Sequence, residues 1–139
     1  IGTNGNRNRD LHVIQSCETI RPLPMAAIVY LAFEPAWLAL SRQERGEVAG
    51  QIGTILARHP EVAFEWFDAD ALAGGFSDFA ICRFSDMRAY HHLWEGLRDT
   101  VIFSKPYARI VNVTTGIENG FQDYEANLQS AAVPEAGDA

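Results

Sequence analysis

Basic side chains are scarce in this chain. Its 139 residues hold 11 Lys and Arg against 18 Asp and Glu, a formal net charge of −7. A surface of that sign repels phosphate backbones and anionic headgroups, and no Lys/Arg stripe offsets it. Neither nucleic acid nor a membrane surface is therefore expected as a partner. Cysteine is nearly absent: Cys17 and Cys82 are the only two. Two cysteines make no disulfide framework, although a bond between them stays open, and there is no CxxC and no Cys/His spacing of a zinc site. Long apolar runs are missing too, none approaching the ~20 residues that span a bilayer. No charged-then-apolar leader is read at the start, and a soluble, cytoplasmic protein is the expectation. GxSxG, P-loop, GxGxxG and HExxH signatures are also lacking, which removes the chemistries that those motifs carry.

What remains is ordinary for a globular domain: 47% hydrophobic and 21% charged residues. A single domain is expected. Residues 1–24 differ in composition, rich in Asn, Gly and Arg before two prolines. They read as an N-terminal extension, with docking through Leu11, Val13 and Ile14 as the alternative. Residues 25–122 read as the folded domain and 123–139 as a C-terminal tail.

Within the domain, Ala26–Phe33 is continuously apolar and β-branched, the pattern of a strand buried on both faces. Glu34-Pro35 ends it, and Ala36-Trp37-Leu38 suits a short helical turn. Ser41 followed by Glu44 matches a capping box. The helix this opens runs to Arg58, with Val48, Ile52, Ile55 and Leu56 on one side. Gly46, Gly50 and Gly53 within it each cost ~1 kcal/mol against Ala, which suggests close approach of another backbone. Val62–Asp68 and Asp78–Phe84 read as strands around a loop containing Gly74-Gly75. Ser85 or Asp86 caps a second helix whose stripe is Met87, Tyr90, Leu93, Trp94, Leu97 and Val101. Lys105-Pro106 breaks the chain, Tyr107–Thr114 alternates as a last strand, and G-I-E-N-G turns away.

The order βαββαβ is the ferredoxin-like signature. The expected fold is α+β, a four-stranded antiparallel sheet with two helices on one face. The other face has no cover from its own chain, yet Phe64, Trp66, Phe79 and Ile81 are expected on it. A patch of that size exceeds what monomers usually expose. A C2 homodimer, sheet facing sheet as a dimeric α+β barrel, is the expected solution.

Three stretches resemble the darcynin family: M-A-A-I-V-Y-L-A-F-E-P-A-W-L-A-L-S-R-Q-E-R, F-D-A-D-A-L at 67–72, and above all L-R-D-T-V-I-F-S-K-P-Y-A-R-I-V-N-V-T-T-G-I-E-N-G-F at 97–121. The resemblance runs from about Met25 to Phe121. It implies a dimeric α+β-barrel protein of bacteria and no particular reaction. Similar barrels host cofactor-free monooxygenases, isomerases, cyclases and haem-handling enzymes, a link by fold analogy alone.

Candidate chemistry lies mostly on the strands. Asp68, at the end of the second strand, suits a general base, and its plainer reading is a turn or cap. Arg83, in an otherwise apolar strand, suits an anchor for an anionic or carbonyl oxygen, and its plainer reading is an ion pair with Glu65, Asp68 or Asp86. Tyr30, Phe64, Trp66, Phe79 and Tyr107 are expected to shape an aromatic pocket, with core packing as the alternative. His91 and His92 are adjacent on a helix and point about 100° apart, so they do not share one metal readily. The leading expectation is thus an enzyme without a tightly bound organic cofactor, using no metal, on an aromatic or polyketide-like small molecule. The alternatives are a non-catalytic ligand-binding or regulatory barrel, and a haem- or metal-handling protein.

Overall fold

The computed structural model describes residues 22–131. The expectations for residues 1–21, for Cys17 and its pairing, and for 132–139 lie outside the described residues. Among the described residues nine elements follow in order: β1 (Met25–Phe33), α1 (Pro35–Leu38), α2 (Arg42–Ala57), β2 (Ala63–Asp68), β3 (Asp78–Phe84), α3 (Met87–Arg98), α4 (Val101–Ser104), β4 (Ala108–Ile117) and α5 (Gly120–Ala131). The four strands make one antiparallel sheet in the order β2-β3-β1-β4. This is the expected ferredoxin-like α+β arrangement, with α2 and α3 as the crossover helices.

Local chemistry sets the helix starts as read. The Ser41 hydroxyl accepts from the Glu44 N–H while the Glu44 carboxylate accepts from the Ser41 N–H, a complete capping box. Asp86 caps α3 by accepting from the N–H groups of Arg88 and Ala89. The core lies between sheet and helices. Val29, Leu31, Ala80 and Cys82 meet Leu93, Trp94 and Leu97 there, all buried. α3 and α2 cross where Gly96 faces Ile55, and a Cβ at Gly96 would stand 3.2 Å from the Ile55 Cγ2.

Four expectations change. β1 is buried on one face only: Ala27, Val29 and Leu31 are covered, and the residues between them are half-buried. Both faces are apolar, but the helices lie on one. Gly46, Gly50 and Gly53 do not meet another backbone, because a Cβ at any of them would find nothing within 4 Å. The close approach belongs to Gly96 instead. β4 continues to Ile117 because Met25–Ala27 of β1 offer partners to Thr115–Ile117. Residues 123–131, read as tail, belong to α5, which starts after Asn119 at φ 51°.

Candidate functional site

The register decides which side chains share a face. Phe64 stands opposite Cys82 and Trp66 opposite Ala80, so both aromatics point to the helix side. The expectation that they join Phe79 on the uncovered face is corrected. Strand residues alternate faces, and alternation alone cannot say which set faces the helices. Phe67 and Phe79 are the pair on the uncovered face, stacked at 4.8 Å. Tyr30 joins them there through Phe76 at 4.8 Å and Phe79 at 6.1 Å. Tyr107 lies apart, packed on Trp37 at 5.8 Å.

Between α2 and the sheet lies a cavity of about 710 Å³, within the ~300–1,000 Å³ range of small-molecule sites. Phe64 and Trp66 wall it from β2, Phe33 from β1, and Trp37 from α1. Ala49, Ile52 and Leu56 line it from α2, and Ile102 closes it from α4. The aromatic wall is continuous: Phe33 packs on Trp37 at 5.0 Å and on Trp66 at 6.1 Å, and Trp66 stacks on Phe64 at 6.0 Å. The Trp66 indole N–H donates to Asp78 at 2.8 Å, which fixes the ring.

Two kinds of charge reach this cavity. Asp68, Asp70 and Asp78 line it at the end of the β2–β3 hairpin, and Arg45 lines it from α2. The Arg45 Nε is buried and has no hydrogen-bond partner. A buried guanidinium N–H without an acceptor is costly, and since the Nε has no accessible surface the cavity is lined by other atoms of Arg45. Sequence reasoning missed Arg45. The signal was its position seven residues before Ile52 and eleven before Leu56, on the same face of α2. Among the described residues, no three His, Cys, Asp or Glu side chains are grouped to hold a metal ion.

The expected catalytic pair is not brought together. Asp68 lies on the helix side at the cavity. Arg83 is opposite Ala63 on the uncovered face, five strand positions away, roughly 17 Å along the sheet. Arg83 is exposed and pairs with Glu65 at 3.4 Å. Arg109 pairs likewise with Glu34 at 3.2 Å. His91 is exposed on α3 and faces Glu95 at 3.4 Å, and His92 is exposed beside it.

Two groups packed into the core are perturbed without being part of the cavity. Burial pushes the Cys82 thiol up to about 11, against a smaller opposing pull from the Trp94 indole N–H. Burial pushes the Tyr90 phenol up to about 12, with the Cys82 charge adding to it.

The sheet order, the two crossover helices and the walled cavity define a ferredoxin-like α+β protein with a small-molecule-sized site. The sequence model of the family "Darcynin, domain of unknown function" matches residues 11–133, beyond both ends of the stretch from Met25 to Phe121. The chain belongs to the darcynin family. Darcynin of Chromobacterium violaceum is 39% identical over 74 residues, covering 53% of this chain and 94% of that protein. Darcynin 1 of Acinetobacter baumannii is 29% identical over 90 residues, covering 64% and 100%.

Solved structures share the fold at low identity. A haem-binding protein from Thermus thermophilus superposes with a TM-score of 0.66 at 14% identity, over 79% of this chain and 46% of that one. A chlorite dismutase variant from Candidatus Nitrospira defluvii gives 0.64 at 14% identity, over 75% and 44%. The chain spans less than half the length of these solved proteins. They overturn the leading expectation of a cofactor-independent monooxygenase, isomerase or cyclase. The Thermus thermophilus protein is named as haem-binding, and the geometry leaves that expectation without its Asp68–Arg83 pair.

Proposed function

We propose that this protein handles haem or a closely related tetrapyrrole, held in the cavity between α2 and the sheet. The observation that carries the reading is the cavity: a site of this size with a continuous aromatic wall, in a fold shared with a haem-binding protein and chlorite dismutase. The residues present fit the organic part of such a ligand. Phe33, Trp37, Phe64 and Trp66 offer ring faces to a flat macrocycle. The Arg45 guanidinium on the cavity wall suits a ligand carboxylate. Asp68, Asp70 and Asp78 line the same cavity and repel a ligand carboxylate, so among the described residues Arg45 is the one lining cation to offset them.

Iron is less well provided for. Haem proteins hold iron through His, Cys, Met or Tyr, and none of these is among the described residues lining the cavity. His91 and His92 lie on the exposed side of α3. Bound haem supplies redox and ligand-binding chemistry at its iron. The cavity residues would supply macrocycle packing and one cation beside three carboxylates, which suits carriage or sensing. Titration of haemin and of iron-free protoporphyrin into the full chain, followed by absorbance and tryptophan quenching, tests the reading. Saturable binding of both, weakened about tenfold by Arg45→Ala and blocked by Ala49→Trp, is expected. Binding of neither, or binding indifferent to Ala49→Trp, refutes it.

A further inference from the structure

Helix α5 has no buried residue. Its large apolar side chains, Phe121, Tyr124 and Leu128, recur at helical spacing and are 68%, 59% and 50% exposed. A 12-residue helix is marginal in water without tertiary packing, so this stripe needs cover. The end of β4 has the same deficit. Val113 and Ile117 are register partners of Val29 and Met25 and so point to the helix-bearing side, yet they are 43% and 48% exposed. Ile117 adjoins the start of α5, where a Cβ at Gly120 would meet its Cγ2 at 3.2 Å.

The chain itself delivers an occupant to this place. The Glu118 N–H donates to the Pro24 carbonyl at 2.8 Å, so the segment before β1 joins the sheet two residues from the start of α5. Residues 2–10 are Gly, Thr, Asn, Arg and Asp alone, whereas apolar side chains recur from Leu11 onward as Val13, Ile14, Cys17 and Ile20. The darcynin family model begins at that same residue 11 and ends at 133, past the end of α5. The apolar arm and α5 are thus both parts of the family's domain. At ~3.3 Å per residue, residues 11–21 reach up to ~36 Å, about twice the ~18 Å length of α5. Charge agrees. Arg7, Arg9 and Arg21 outnumber Asp10 and Glu18 in the arm, and α5 carries Asp123 and Glu125 with no Lys or Arg.

We propose that residues 11–21 of the same chain dock on this surface, their apolar side chains set against the Phe121–Tyr124–Leu128 stripe of α5 and the bare end of β4. The tether makes the contact intramolecular, at an effective concentration in the mM range for a short linker. Modest apolar packing then suffices, where a separate partner would need a full interface of about 800 Å² a side. Docked, the arm gives α5 the tertiary packing that it lacks. The contact does not depend on what the cavity binds.

Two measurements on the full chain test it from opposite sides. Cys17 reports on the arm, because Cys82 is fully buried and competes little for a maleimide. Labelling of Cys17 is expected to be about tenfold slower in the wild type than in the double variant Phe121→Glu with Leu128→Glu, as protection by a local contact requires. Amide exchange reports on the helix. The α5 amides are expected to exchange slowly in the wild type and freely in Val13→Glu with Ile14→Glu. The β1 and β3 amides should stay protected in both variants, which shows that the sheet domain remains folded. Cys17 labelled equally fast in the wild type and the α5 variant overturns the proposal. So does α5 protection that survives Val13→Glu with Ile14→Glu, or that fades on dilution, the latter giving the surface to a second copy.

Discussion

Trp66 on β2 donates its indole N–H to the Asp78 carboxylate at the start of β3, 2.8 Å away. The bond joins the aromatic wall of the cavity to the acidic end of the hairpin. It holds the indole where it packs on Phe33 and Phe64.

Asp78→Ala should free the Trp66 ring. A hydrogen bond to a charged group at a partly exposed site is worth about 1 kcal/mol net, so a small loss in denaturation midpoint is expected. The larger effect should be on the tryptophan emission spectrum and on tetrapyrrole affinity, both read by titration. An unchanged spectrum would show that the ring is held by packing alone.

Arg83→Ala should leave ligand binding unchanged. Arg83 lies on the sheet face opposite the cavity, exposed and paired only with exposed Glu65. Surface pairs of this type contribute about 0–1 kcal/mol. Parallel titrations of Arg83→Ala and Arg45→Ala separate the two arginines, and a loss of affinity in the first would contradict the placement.

Glycine substitutions in the two crossover helices should diverge. Gly50→Ala adds a methyl into open space in α2 and is expected to stabilise by up to about 1 kcal/mol through helix propensity. Gly96→Ala has the same propensity gain, but its Cβ meets the Ile55 Cγ2 at 3.2 Å. That side chain is held in the core margin, so the gain should be cancelled or reversed. Thermal midpoints of the two variants decide the matter.

Alkaline pH should destabilise the fold. The Cys82 thiol is raised from 9.0 to about 11 by burial, so the folded state keeps its proton where the unfolded state has lost it. Its contribution is complete below about pH 9 and disappears as pH rises to about 11, a change on the order of 2 kcal/mol. Tyr90, raised to about 12, extends the same trend upward. Denaturation midpoints across this range should fall with pH in the wild type and fall less steeply in Cys82→Ala.

Much of the architecture was legible from local patterns. Ser41 with Glu44, Asp86, and the Leu93–Trp94–Leu97 stripe each carry their own physical instruction, because caps and helical periodicity act within a few residues. The site was less legible. Phe64, Trp66 and Phe79 look alike in sequence, and Arg83 stands out among the arginines because its neighbours are apolar. Arg45 looks like an ordinary surface residue at the start of a polar helix. Only its place on the cavity wall, across from β2, makes it a buried donor.

The sequence by itself determined the elements, their order and their caps, since those depend on side-chain period and on backbone groups close in the chain. It also determined that one sheet face would lack helices, because two crossovers cover a single side. The tertiary structure decided which residues face which side, through the register of Phe64 on Cys82 and Trp66 on Ala80. It decided as well that the cavity opens under α2, where helix, sheet and α1 converge on Arg45. Register and convergence arise from pairing between distant segments, and no local pattern encodes them.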